Sequence, residues 1–362
     1  MSEWKKVKLG DILQVKKGEY ITKKEAHDGI YPVILGGKEP AYYIDKYNHT
    51  GKAIVISRSG ASAGYVSFWN EPIFVTDGFL IEPKDTLTYE FLYYALKSKQ
   101  SLLHNAQKGA AIPHVTPSLI GDIDFFLPSA DTQHRIATIL SRYDSLIENY
   151  QKQIKLLEEA AQRLYKEWFV DLHFPGHENT NIVDGVPEGW TPSQLGQLVE
   201  FKRGKTITKK DVINGDIPVV AGGLEPAYYC NKSNTAERVI TVSGSGANAG
   251  FTRMYFEKVW ASDCSFVDAS TTPFLHFVYC FLKDNKTRID HLQKGAAQPH
   301  VYAKDINSLG LCIPIESILK SFEGTASKYF DTISSFQSQI HLLTEARDRL
   351  LPKLMGGEIV LS

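Results

Sequence analysis

One spacing organises the whole chain. Trp4 returns as Trp190, 186 positions further on, and at that same offset four other segments recur. ITKK at 21–24 reappears at 207–210, and GG-x-EPAYY at 36–43 reappears at 222–229. SRSGASAG at 57–64 returns as SGSGANAG at 243–250, and QKGAAIPHV at 107–115 returns as QKGAAQPHV at 293–301. No net insertion separates the copies, and the chain has 362 residues, so it is one unit written twice. Whatever this unit folds into must form two similar domains.

Each copy has two parts. The first, about 125 residues, is rich in short β-type runs such as AIVIS at 53–57 and VITVS at 239–243, punctuated by Gly, Pro and Asn. A helical stretch is expected around 87–106. The second part, 131–169, has no Gly or Pro and carries a long apolar stripe. Ile136, Leu140, Tyr143, Ile147, Tyr150, Ile154, Leu157, Ala161, Leu164 and Trp168 alternate steps of 4 and 3, the spacing of a coiled-coil seam. At 1.5 Å per residue the stripe spans about 50 Å. In the second copy Phe322, Ala326, Tyr329, Ile333, Phe336, Ile340, Leu343, Leu350 and Leu354 repeat it, and only Arg347 interrupts. Two equal helices with one stripe each are expected to pair antiparallel, giving a pseudo-two-fold axis. The expected organisation is therefore α+β. It comprises a β-rich domain at 1–130, a long helix at 131–170, a polar Gly/Pro-rich linker at 171–189, a second β-rich domain at 190–315 and a second long helix at 316–356.

Composition narrows the function. Apolar residues make up 43% and charged residues 22%, ordinary for a globular protein and unlike a disordered or collagen-like chain. No apolar run approaches 18 residues, and the MSEWKK start has no apolar signal core behind it, so the expected compartment is the cytoplasm. The four cysteines, at 230, 264, 280 and 312, form no CxxC pair and read as reduced core thiols. The net charge is only -1, so a nucleic-acid surface must be local. Residues 1–24 hold seven Lys against three acids, and residues 186–210 hold five Lys or Arg against two. The helix at 131–171 balances six bases against seven acids. Charge is thus segregated to the start of each copy, as a phosphate-contacting footprint would be.

The repeated loops show little sign of catalysis. Neither copy carries G-x-G-x-x-G, and the GKT at 204–206 has Val199 where a P-loop needs Gly. Asp77, Glu82 and Lys84 mimic a metal-dependent nuclease pattern, but their counterparts are Asp263, Asp268 and Ser270, so the pattern fails in the second copy. Asp77 and Asp263 read instead as loop-anchoring acceptors. His114 and His300 stand alone in PHV, without the partners of a metal site.

The same segments carry a family resemblance. The chain resembles specificity subunits of type I DNA restriction–modification enzymes over its whole length. The resemblance rests on P-x-GW-x4-LG at 187–196 with EW-x4-LG at 3–10, on the GG turns, on QKGAA-x-PHV and on LPSADTQHRIATIL at 127–140. That last run departs from the family at Thr132, where Glu is usual, and its copy at 313–326 is degraded. The resemblance implies two target recognition domains that each read half of a split site in double-stranded DNA. It implies spacer helices that dock methyltransferase subunits, two of them, and contact with restriction/translocase subunits through the complex. It implies no catalytic residue, cofactor or metal in this chain, and the N-P-P-[FY] motif of the methyltransferase is absent.

Lys16, Lys17, Lys23, Lys24, Lys202, Arg203, Lys209 and Lys210 are the candidate phosphate contacts. Lys38, Arg58, Ser59, Ser62, Lys108, His114, Ser245, Asn248, Lys294, Gln298 and His300 are the candidate DNA contacts in the repeated loops. Positions that differ within an identical frame are candidate base readers: Lys38 against Leu224, Arg58 against Gly244, Ser62 against Asn248, and Ile112 against Gln298. Arg58 suits a guanine edge and Asn248 an adenine edge. Two other readings remain: a coiled-coil scaffold with two protein-binding domains, and a DNA-cleaving enzyme using the carboxylates above.

Overall fold

The strand runs pair in one pattern, executed twice. The structure, a computed structural model, describes residues 4–22, 24–37, 39–60, 62–84, 87–105, 114–295 and 299–359. In the first copy a four-stranded antiparallel sheet runs Leu13–Lys17, Gly78–Pro83, Lys52–Ser57, Val66–Asn70. In the second copy the order is Lys202–Arg203, Cys264–Asp268, Val239–Ser243, Thr252–Tyr255. The register is conserved residue for residue: Ile54 faces Ile81 and Ser57 faces Gly78, as Ile240 faces Val267 and Ser243 faces Cys264. A three-stranded sheet flanks each, with Asp28–Ile34 parallel to Phe74–Val75 in one and Ile217–Val220 parallel to Trp260–Ala261 in the other. The central strands Lys52–Ser57 and Val239–Ser243 are buried on both faces, which explains their continuous β-branched runs.

Among the described residues, four helices have ten residues or more: α1 Tyr89–Ser98, α2 Ala130–Phe169, α3 Leu275–Asp284 and α4 Glu316–Met355. Thr88 caps α1 by accepting from the backbone N–H of Phe91 at 3.3 Å. The chain groups into two compact units, 1–149 with 339–362 and 150–338, so each long helix is shared between both units.

In unit 1 the start of α2 meets the end of α4. Ile136, Ala137 and Leu140 pack with Leu351, Leu354 and Met355, over a core that includes Phe91 and Phe125. In unit 2 the end of α2 meets the start of α4, where Ala161 and Tyr165 pack with Phe322, Ala326 and Phe330. Tyr150 stacks on Phe336 with ring centroids 4.8 Å apart. In both units, then, the helices run antiparallel. The buried stripe is wider than the seam alone, because Ala137 and Tyr165 also face the β-rich part of their unit. Tyr165 lies 5.6 Å from the ring of Phe277 on α3.

Arg347 corrects the sequence reading. It does not break the seam as an unsatisfied charge. Its guanidinium, 20% exposed, donates to Asp144 Oδ1 at 2.5 Å, while Asp144 Oδ2 accepts from Tyr94 Oη at 2.5 Å. The segment 171–189 is ordered. Residues Ile182–Val183 and Val186–Pro187 form a hairpin around Asp184 and Gly185, both with positive φ, as a type I′ turn requires. Phe174 is buried with Trp190 and Ile318. Cys230, Cys264 and Cys280 are buried free thiols and Cys312 is half-buried. Burial pushes the Cys264 thiol up to about 12, so it stays protonated near neutral pH.

Candidate nucleic-acid interface

The repeated motifs lie far apart in sequence, yet each unit folds its own set onto one loop cluster. In unit 1 the loop after Lys52–Ser57 is tied to the strand entrance at 77–78. Ser59 Oγ donates to the Asp77 carboxylate, and the backbone N–H of Arg58 donates to Asp77 O at 3.2 Å. The same loop pairs with the PHV segment, for Ser59 bridges His114 and Val115 N donates to Arg58 O at 3.0 Å. The GG turn lies against it. A Cβ on Gly36 would come 3.2 Å from Ser59 O, and φ at Gly36 is +70°. Ile21 of ITKK packs with Tyr42 of EPAYY.

Unit 2 repeats this construction. Ser245 Oγ donates to the Asp263 carboxylate, Gly244 N donates to Asp263 O at 3.0 Å, and Ser245 bridges His300. A Cβ on Gly222 would meet Ser245 O at 2.7 Å. Tyr228 of EPAYY donates its hydroxyl to Ile207 O of ITKK at 2.5 Å. The Ser–Asp pairs and the glycines explain why these short motifs recur together: each fills a place in one frame.

The candidates then sort by environment. Lys16 and Lys17 end one edge strand of the unit 1 sheet, and Lys202 and Arg203 end its counterpart in unit 2; all four are exposed. Lys24, Lys209 and Lys210 are exposed in the turns that follow. Lys16 is paired with Glu82 at 2.7 Å, whereas Lys17, Lys24, Lys202, Arg203, Lys209 and Lys210 take part in no salt bridge among the described residues. Glu82 has Asp268 as its counterpart, and Asp268 is turned inward. Burial pushes its pKa up, but hydrogen bonds from Ser270, Ala236 N and Thr271 outweigh that and hold it below the usual carboxylate range. Lys202 therefore finds no partner there.

Within the loops, Arg58 lies 3.8 Å from Asp77 Oδ1 and is half-buried, and Ser62 is half-buried nearby. The Ser59 and Ser245 hydroxyls are spent on their aspartates. Asn248 Nδ2 lies 3.5 Å from Gly222 O. Lys294 pairs its backbone with His300 and its ammonium with Asp305 at 2.7 Å. His114 is exposed, and His300 stacks on Tyr302 with centroids 6.0 Å apart. Lys23, Lys38, Lys108, Ile112 and Gln298 lie outside the described residues.

The nuclease-like trio does not converge. Asp77 holds Ser59, Glu82 holds Lys16, and Lys84 donates to Gly10 O at 2.8 Å. Among the described residues, no three His, Cys, Asp or Glu side chains gather as a metal site would require. Sequence reading missed Asn48 and Asn234, each of which brackets a peptide of the neighbouring strand. Asn48 donates to Val75 O and accepts from Val75 N, both at 2.8 Å, and Asn234 does the same for Ala261 at 2.9 and 2.7 Å. Their common offset of 186 was the signal.

Comparison with known proteins agrees with this fold. The family described as Type I restriction modification DNA specificity domain matches residues 1–159 and again 187–350. The MjaIX type I restriction enzyme specificity subunit of Methanocaldococcus jannaschii is 30% identical over 336 residues, covering 85% of this chain and 78% of that protein. A putative type I specificity subunit of Mycoplasma genitalium is 26% identical over 366 residues, covering 97% and 93%. The crystal structure of a type I restriction–modification S subunit from M. genitalium matches the fold with a TM-score of 0.62 at 21% identity, over 99% of this chain and 97% of that one.

Proposed function

Since this chain belongs to the type I restriction modification DNA specificity family, we propose that it selects the DNA site for a restriction–modification complex and carries out none of the chemistry itself. Residues 1–130 and 190–315 act as two target recognition domains, each reading one half of a bipartite site. The observation that carries this reading is the doubled loop cluster: one frame built twice from distant motifs and bordered by exposed cations that have no carboxylate partner among the described residues. Unpaired Lys and Arg beside glycine-tight loops suit a phosphate backbone, while the residues that vary within the frame suit base edges. No described helix is long and apolar enough to cross a membrane.

The long helices dock methyltransferase subunits, one for each copy. In unit 2, Leu156, Glu159, Ala160, Arg163 and Leu164 of α2 line a groove with Tyr329 of α4. Leu342, Glu345, Ala346, Arg349, Leu350 and Tyr143 are the same residues at the same offset, and all lie in unit 1. Leu156 is 63% exposed and Leu342 56%, whereas the other exposed leucine of these helices, Leu146, has Thr332 at the same offset. Identical exposed leucines at two repeat-related places suit two copies of one partner.

The test is methylation sequencing of DNA from cells that express the chain with a type I methyltransferase subunit. A two-part motif that requires the chain is expected. Methylation independent of the chain, or a single undivided motif, overturns the reading. Leu156→Asp and Leu342→Asp should each reduce the complex from two methyltransferase subunits to one by native mass measurement.

A further inference from the structure

The turn GG-x-EPAYY has one frame in both copies but different residues at x. The variable position of the motif is Lys38 in the first copy and Leu224 in the second. Leu224 is 49% exposed and joins none of the hydrophobic clusters of unit 2. A lone exposed leucine is ordinary. What sets this one apart is the backbone that carries it. Arg253 Nη1 donates to Leu224 O at 2.9 Å and lies 3.6 Å from Glu225 Oε1. The Arg253 guanidinium is itself seated over the Tyr255 ring, 4.8 Å from its centroid. On the other side Gly222 is pressed against Ser245 O, and Asn248 Nδ2 reaches Gly222 O. The turn is thus clamped at both ends by side chains, and the residue it presents is apolar. The first copy has Ser67 where the second has Arg253, and Ser67 is engaged by Val55 O and Trp69 Nε1.

The Leu224 side chain offers no hydrogen bond, and its carbonyl is engaged by Arg253. In the major groove, the apolar group that a base pair presents is the 5-methyl of thymine. We infer that the second domain reads a thymine methyl with Leu224, and that Arg253 is the residue positioning it. This rests on the DNA-reading function proposed above and assigns one position of one half-site. It also implies that the first domain, with Lys38 and no arginine clamp, reads its corresponding position by different chemistry.

The experiment uses the full chain, co-purified with its methyltransferase subunits, and the preferred duplex selected from a random library. Each thymine of both half-sites is replaced singly by deoxyuridine, which removes only the methyl group. One replacement should weaken binding about four-fold, the worth of one buried methyl. Leu224→Ala should weaken binding to the unmodified duplex by a similar factor and be indifferent to that same replacement. Leu224→Lys should move the preference at that position away from thymine. Arg253→Ala should bring the thymine-to-uracil ratio at that position close to one while leaving the salt dependence unchanged, and Arg253→Lys should restore part of the ratio. The inference is overturned if no thymine is methyl-sensitive, or if the sensitive thymine stays so in Leu224→Ala. If the unmodified chain selects no sequence from the library, the DNA-reading function itself fails. Thermal melting of each variant identifies a folding defect, and an unfolded Arg253→Ala leaves Leu224→Ala to decide.

Discussion

Lys16 and Lys202 occupy the same place in the two copies, yet only Lys16 is neutralised, by Glu82. The counterpart of Glu82 is Asp268, whose carboxylate is tied to the backbone of its own unit. Similarly, Asp144 of α2 has Phe330 as its counterpart on α4, and Arg347 has Ala161. One helix crossing is held by a half-buried ion pair with a tyrosine on it; the other is held by aromatic packing. The comparison teaches that the repeat preserves backbone frame and register while its charges are free to diverge. The frame rests on glycines, Ser–Asp pairs and Asn brackets, which tolerate no change in size. Exposed charges cost little to move.

Three sets of substitutions would break or sharpen this contrast. The largest effect is expected at the apolar crossing. Phe322 is fully buried among Tyr165, Trp168 and Phe277, so Phe322→Ala should destabilise by about 3–5 kcal/mol. Ile136→Ala, its repeat counterpart, should cost less, about 2–4 kcal/mol, because it removes less volume. Urea unfolding of both variants measures the difference, and equal losses would mean the two crossings are packed alike.

A middle-sized effect is expected at the polar crossing. Asp144→Ala leaves the Arg347 guanidinium with Asp348 alone and should cost about 2 kcal/mol, less than for a fully buried pair because Asp144 is 32% exposed. Asp144→Leu combined with Arg347→Leu, which removes both charges and restores the seam, should stay within about 1 kcal/mol of the parent. If urea unfolding finds the same cost for both changes, the pair contributes by shape rather than charge.

The smallest effect is expected at the cations. Lys209→Ala with Lys210→Ala should lower the slope of log affinity against log salt by about two, one for each phosphate that is no longer neutralised. Lys16→Ala should change it by less than one, since Glu82 already competes for that ammonium. A larger slope change for Lys16 than for the Lys209–Lys210 pair would invert the comparison.

Much of the fold could be read from spacing. The helix expected around 87–106 forms as Tyr89–Ser98 and Gln100–Asn105, and the two apolar stripes form α2 and α4. The role expected for Asp77 and Asp263, anchoring a loop, is the one they fill. Other features were hidden because they depend on distant neighbours. Arg347 reads as a defect in one helix and becomes a partner only when Asp144 and Tyr94 arrive from elsewhere in the chain. Lys16 and Lys17 are indistinguishable in sequence, and only the strand pairing that brings Glu82 beside Lys16 separates them. Arg253 carries no motif at all, and its importance comes from the turn it reaches 29 residues away.

The sequence by itself determined that there are two units of one kind, where their strands and long helices lie, and which residues must be small. Those properties follow from periodicity and from backbone conformation, which act locally and repeat with the chain. Only the tertiary structure decided which charges are paired, which hydroxyls are spent and which side chains remain at the rim to meet a partner. Those depend on side chains far apart in sequence coming within a few ångströms, and Coulomb and hydrogen-bond energies are set by that distance and by the water left between them.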